Sequence, residues 1–289
     1  IKLPIMVLSP HVSSFEDLVS FNLEPEIYSL RILANFIVFL RERALKTYSI
    51  HLKVDTGMHR LGFMPEEMAA LLTILKDADE VKIISIFSHL VGAGDPSLVD
   101  FTRDQVNILM NCSRRIEQEM GYTVLKHICN TSGIIHHPEA HLDMVRLGIG
   151  LYGFETTSNE LLLEEVSVLK TTITQIKNLG IHETVGYDRK GQLHRDSVIA
   201  TVKIGYADGY NRRFGNGVGK MLVNGQLAPT VGNICMDMCM LDITDIVANE
   251  GDEVLVFPDL ARAAQEIGTI PYELLTSISS RVKRVYFYD

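Results

Sequence analysis

The stretch HLKVDTGMHRLGF runs from His51 to Phe63. Read as a strand, it alternates: His51, Lys53 and Asp55 take one face, Leu52 and Val54 the other. Thr56 and Gly57 then break it, and Met58, His59 and Arg60 follow. A strand with buried-looking neighbours thus ends in a lysine, an aspartate and an arginine. In parallel α/β folds the chemistry collects at the C-terminal ends of strands.

Working outward, short apolar strands alternate with amphipathic helices through the first half. IMVL (5–8), EIYSL (26–30), SIHLKVD (49–55), KIISIFSHL (82–90), VLKHICN (124–130) and MVRLGIGLYG (144–153) read as six strands. SFEDLVSF (14–21), SLRILANFIVFLRERALK (29–46), PEEMAALLTILKDA (65–78) and DFTRDQVNILMNCSRRIEQEMG (100–121) read as helices. Such alternation predicts parallel strands with right-handed crossovers. Six strands are two short of an eight-fold barrel and fit an open doubly wound sheet equally well. From SVLKTTITQI (167–176) the style changes to β-branched alternation and close turns, with strands VIATVKIGY (198–206), KMLVNG (220–225) and CMLDIT (239–244) and one late helix, YELLTSIS (272–279). The expected organisation is an α/β unit over 1–163 and an all-β unit over 164–289.

Composition narrows the function classes. Of 289 residues, 46% are apolar and 22% charged, as in ordinary globular proteins. A formal charge of −9 and the lack of a basic stripe argue against a nucleic-acid surface. The longest apolar run, LANFIVFL, is too short to span a bilayer, so no membrane role is expected. Cys112, Cys129, Cys235 and Cys239 are too few for a disulfide scaffold and suit a reducing cytoplasm. The opening IKLPIMVLSP has neither an initiator Met nor a signal-peptide pattern and enters directly on a strand, as a truncated chain would.

Four strand ends are polar: Lys53 and Asp55; Ser88 and His89; Asn130, Thr131 and Ser132; and Arg146 followed by Gly148, Gly150 and Gly153. Each has a plain reading. His89 alone suits a satisfied core histidine. Thr131 and Ser132 suit a helix cap, and the glycines suit turns. Arg146 is harder to dismiss, because a guanidinium inside an apolar segment needs partners. A hydroxyl at Thr131 beside glycine backbone at Gly148 suits a phosphate. With neither a Walker A motif nor a dinucleotide glycine fingerprint, a phosphate-bearing organic cofactor is favoured over a nucleotide. HHPEAH (136–141) has no partners at zinc-like spacing, and CMDMC (235–239) is spaced unlike the usual CxxC, so no metal is expected.

With these residues in view, the chain resembles the alanine racemase family over nearly its whole length. The resemblance rests on HLKVDTGMHRLGF, FSHL, HICNTSG, MVRLGIGLYG, TVGYD, KIGYADGY, VGNICMDM and RVKRVY, in that order. It implies a pyridoxal 5'-phosphate enzyme with a (β/α)8 barrel and a C-terminal β domain. It also implies a head-to-tail homodimer with a composite active site, acting on alanine to supply D-alanine for peptidoglycan. By that likeness Arg146 faces the pyridine nitrogen, and Thr131, Gly148, Ile149 and Tyr286 hold the phosphate. Tyr187 is one of two bases and is linked through His89 to Arg146. Arg60 binds the substrate carboxylate, Met236 meets it through its backbone, and Tyr206 lines the entry. Lys53 resembles a lysine that is carbamylated in many members and clamps the arginine; the plain alternative is an ion pair of Asp55 with Lys53 or Arg60. The family's Schiff-base lysine motif is absent from this sequence, which implies a barrel lacking its first two strands; the resemblance also allows the racemase part of a longer ligase–racemase fusion. Two alternatives stand beside this reading: a same-fold pyridoxal-phosphate decarboxylase, which Arg146 argues against, and a non-catalytic binding module.

Overall fold

The computed structural model describes residues 2–155 and 163–287. The chain divides into two compact units, Ile1–Leu163 and Glu164–Asp289.

In the first unit five strands, β1 (Met6–Val7), β2 (Glu24–Ile27), β3 (Tyr48–Lys53), β4 (Val81–Phe87) and β5 (Leu125–His127), form one parallel sheet in sequence order. Helices α1 (Phe15–Ser20), α2 (Leu30–Glu42), α3 (Met68–Lys76) and α4 (Val99–Met120) supply the crossovers, and the short α5 (Thr131–His136) follows β5. Helix α2 starts where the Ser29 side chain accepts the Ile32 N–H at 3.3 Å, satisfying one of the orphan donors of the first turn. It buries Ile32, Leu33, Phe36, Ile37 and Leu40, residues at helical spacing. The sheet contributes Ile27, Ile50, Leu52, Val54 and Ile86 to the same core. The alternate face of the strands is polar: Glu24 and Glu26 on β2, His51 and Lys53 on β3, Ser85 on β4, His127 on β5.

The expected sixth strand does not form. Met144 makes one isolated parallel bridge to His127, the Arg146 N–H donates to the Cys129 carbonyl at 3.0 Å, and Ile149–Tyr152 is a single 3-10 turn. The reason is a contact from another segment. The N–H groups of Gly148 and Gly150 both donate to the Thr131 hydroxyl, at 3.1 and 3.2 Å, and so are lost to any ladder.

The second unit is built on a closed antiparallel barrel. Its strands are β6 (Lys170–Leu179), β9 (Ser197–Val202), β10 (Lys220–Val223), β11 (Gln226–Val231), β12 (Cys239–Asp242) and β13 (Glu253–Leu255), in the order β10-β11-β12-β9-β6-β13. A separate small hairpin pairs β7 (Thr184–Val185) with β8 (Gly191–Gln192). Closure leaves no free sheet edge to aggregate. Helix α6 (Leu260–Glu266), which the sequence reading missed, precedes the expected late helix α7 (Pro271–Ser277). Among the described residues no helix is long and apolar enough to cross a membrane.

Candidate active site

On the polar face of the parallel sheet, two of the first unit's candidate residues, Arg146 and Lys53, meet at the ring of Phe87. Arg146 lies over that ring with its guanidinium carbon 5.2 Å from the centroid, and Lys53 Nζ lies 5.5 Å from it. His127 stacks on Phe87 at 4.8 Å with the planes 9° apart.

Arg146 is held by neutral acceptors. Its Nη1 donates to His127 Nδ1. Its Nη2 donates to the carbonyls of Ser88 at 2.6 Å and Ile128 at 3.2 Å and reaches His89 Nδ1 at 3.5 Å. Burial pulls the guanidinium down to about 10, which leaves it a cation at neutral pH. Among the described residues no carboxylate forms an ion pair with Arg146 or Arg60. His89 is pushed down to about 4, first by burial and then by the cations Arg146, Arg60 and Lys53, so its ring is neutral. Arginines without a paired carboxylate favour a bound anion.

The ion pair of Asp55 with Lys53 or Arg60 does not form, and Lys53 has another partner. Its Nζ lies 3.0 Å from Glu26 Oε1, and both side chains are buried. Asp55 joins neither Lys53 nor Arg60: its Oδ1 accepts the N–H groups of Gly57 at 2.9 Å and His59 at 3.0 Å, and its Oδ2 lies 3.5 Å from His59 Nδ1. Arg60 is exposed. The physical reason is which partners are in reach: Lys53 meets the buried Glu26 carboxylate of the neighbouring strand, whereas the Asp55 carboxylate is taken by the amides of the turn that follows. Glu26 was not singled out by sequence; its alternation with Glu24 in EPEI was the available signal. His51, Ser85 and His127 were missed as well. His137, in the HHPEAH stretch, is buried and hydrogen-bonds the Ala93 carbonyl at 3.1 Å.

The loop after Arg146 fits a phosphate. The N–H groups of Gly148 and Gly150 converge on the Thr131 hydroxyl. A Cβ at Gly150 would come within 2.8 Å of the Leu147 side chain and 3.0 Å of that of Thr131, so the backbone there is closely packed. Two amides and a hydroxyl at one point, with an arginine alongside a flat aromatic wall, match the donor set that pyridoxal phosphate requires.

In the second unit Tyr187, Tyr206 and Met236 come from three loops that meet. The Tyr206 and Ala207 N–H groups donate to the carbonyls of Cys235 and Met236, both at 3.0 Å. A Cβ at Gly205 would lie 2.3 Å from the Cys235 oxygen, so glycine is required for this approach. The Tyr187 carbonyl accepts from Asn233 Nδ2 at 3.5 Å, and Arg281 ties Asp208 (2.7 Å) to Asp237. Tyr187, Tyr206 and Met236 all present exposed side chains, as does Tyr286 in the C-terminal segment.

Comparisons with known proteins agree over the whole chain. Residues 1–156 match the family model "Alanine racemase, N-terminal domain", and residues 166–286 match "Alanine racemase, C-terminal domain". The chain is 37% identical to the alanine racemase of Clostridium tetani, over 100% of this chain and 78% of that protein. It is 38% identical to that of Clostridium novyi, over 99% of this chain and 77% of that protein. Among solved structures, the alanine racemase of Clostridium difficile 630 superposes with a TM-score of 0.91 at 33% identity, covering 99% of this chain and 77% of that one. That of Bartonella henselae, with covalently bound pyridoxal phosphate, gives 0.88 at 28% identity, covering 99% and 79%.

Proposed function

The chain belongs to the alanine racemase family, and from that premise we propose that it takes part in interconverting L- and D-alanine with pyridoxal phosphate. The observation that carries the reading is Arg146: a permanent cation held by neutral acceptors against Phe87, one loop away from the converging amides of Gly148 and Gly150. We read the parallel sheet as an arc of a (β/α)8 barrel. The protein works as a homodimer in the cytoplasm, and the D-alanine serves peptidoglycan.

In this reading Thr131, Gly148, Ile149 and Tyr286 hold the phosphate, and Arg146 faces the pyridine nitrogen. Because arginine has donors only and does not give up a proton, it leaves that nitrogen unprotonated. Pyridoxal phosphate supplies the electron-withdrawing ring that acidifies Cα–H, and a ring lacking the extra proton withdraws less, which favours return of the proton to Cα over transamination. Arg60 binds the substrate carboxylate. Neutral His89 lies between Arg146 and the position assigned to the phenol of Tyr187 from a second copy, which takes or returns the proton on one face. Met236 and Tyr206 bound the substrate space. Lys53, paired with Glu26, has no part in the proton transfer.

The test has two arms. Pyridoxal phosphate is trapped with borohydride on the protein carrying this chain, and the labelled lysine is mapped; label on Lys53 overturns its assignment. In the active enzyme, Tyr187→Ala slows hydrogen exchange at Cα of one alanine enantiomer by about 100-fold or more, the usual scale for a lost general base, and leaves the other far less affected. Equal small effects on both enantiomers refute the two-base reading.

A further inference from the structure

One polar side chain from each of four neighbouring strands forms a continuous row that ends at Arg146. Glu24 Oε2 lies 2.8 Å from His51 Nε2, His51 Nδ1 lies 2.7 Å from Ser85 Oγ, and Ser85 Oγ lies 3.0 Å from His127 Nε2. His127 Nδ1 then meets Arg146 Nη1. The two histidines and the serine are buried, and the Glu24 side chain is 20% exposed.

The direction of every bond follows from one fact. Arginine can only donate, so His127 Nδ1 accepts and the His127 proton sits on Nε2. That N–H donates to Ser85. The Ser85 hydroxyl hydrogen then has one acceptor in reach among the described residues, His51 Nδ1, which places the His51 proton on Nε2 and aims it at the Glu24 carboxylate. The row runs donor to acceptor from a cation to an anion through three neutral groups, and no hydrogen in it is left over. Burial and the nearby Arg146 push His127 down to about 3, and burial holds His51 below its ordinary value against the opposing pull of Glu24. Both shifts agree with neutral rings.

We infer that Glu24, His51 and Ser85 are positioning residues that fix the tautomer of His127 and, through it, the guanidinium of Arg146. The consequence rests on the reading of Arg146 as the partner of the cofactor ring. If the row reversed, His127 would turn an N–H toward Arg146, two donors would meet, and the guanidinium would be displaced. Phe87 stacked on His127 leaves the ring little freedom to turn away instead.

The test is the protonation state of each ring in histidine- and arginine-labelled protein, read by long-range 1H–15N correlation at neutral pH without cofactor. The expected result is Nε2 protonated and Nδ1 bare in both His51 and His127. Glu24→Ala removes the terminal acceptor: the Nδ1-protonated form of His51 rises about tenfold, on the scale of one lost charged hydrogen bond, and the His127 and Arg146 Nε–H signals move with it. Glu24→Gln keeps an acceptor oxygen and returns these signals to near the native positions. A proton on Nδ1 of either native ring, or a Glu24→Ala effect confined to His51, overturns the inference; the native pattern decides it alone if the variant does not fold. Adding pyridoxal phosphate then tests the functional reading separately: a native Arg146 signal that does not respond counts against that reading and leaves the row standing.

Discussion

Replacing Lys53 by methionine tests the buried pair. Glu26 is 1% exposed and Lys53 7%, and the two lie 3.0 Å apart. The other Glu26 oxygen accepts the Ser9 N–H, so the carboxylate cannot swing out to water without breaking a second bond. Lys53→Met therefore leaves an uncompensated charge, and the expected loss is about 3–5 kcal/mol. Glu26→Gln strands the ammonium instead and costs a similar amount. The double variant Glu26→Leu with Lys53→Met removes both desolvation penalties and returns to within about 1 kcal/mol of the native value or exceeds it. Urea unfolding followed by helical circular dichroism suits this chain, which has no tryptophan and carries its long helices in the same unit as the pair. Single variants that cost under about 1 kcal/mol, or a double variant as costly as the two singles summed, would refute the account of a paired buried charge.

Stability should also fall in mild acid. The folded protein holds His127 at about 3 against an ordinary 6.5, so the unfolded chain takes up the proton first; the contribution is complete above 6.5 and fades as the pH drops. Between pH 7.5 and 5 this one ring removes about 2 kcal/mol, and His127→Asn should flatten the urea-midpoint profile by that amount. Gly62 has φ +130°, and a Cβ there would sit 2.6 Å from the Asp55 nitrogen; Gly62→Ala should cost about 2 kcal/mol or more, read as a lowered melting temperature. Thr131→Val strands the amides of Gly148 and Gly150 and should weaken pyridoxal phosphate binding about tenfold or more, while Thr131→Ser retains it; titration by absorbance distinguishes the two.

Much of the fold was legible because periodicity is local. The helix α2 repeat of Ile32, Leu33, Phe36 and Leu40 and the strand alternation of β3 need only the chain's own geometry. The segment MVRLGIGLYG misled because its apolar composition suits a strand, whereas its Gly148 and Gly150 amides are claimed by Thr131, 17 and 19 positions away. Strand β11 was not read because Pro229 lies within it, where proline argues against a central strand.

The sequence alone determined the strand–helix alternation through β5, the change of style near residue 163 and the residue types at the strand ends, because each is set by neighbours along the chain. Only the tertiary structure decided partners: Lys53 with Glu26 rather than Asp55 or Arg60, and His51, Ser85 and His127 in one row. Those pairings depend on the register between parallel strands, with His51 opposite both Glu26 and Ser85. Register is fixed by packing across long crossovers, and no spacing within one strand records it.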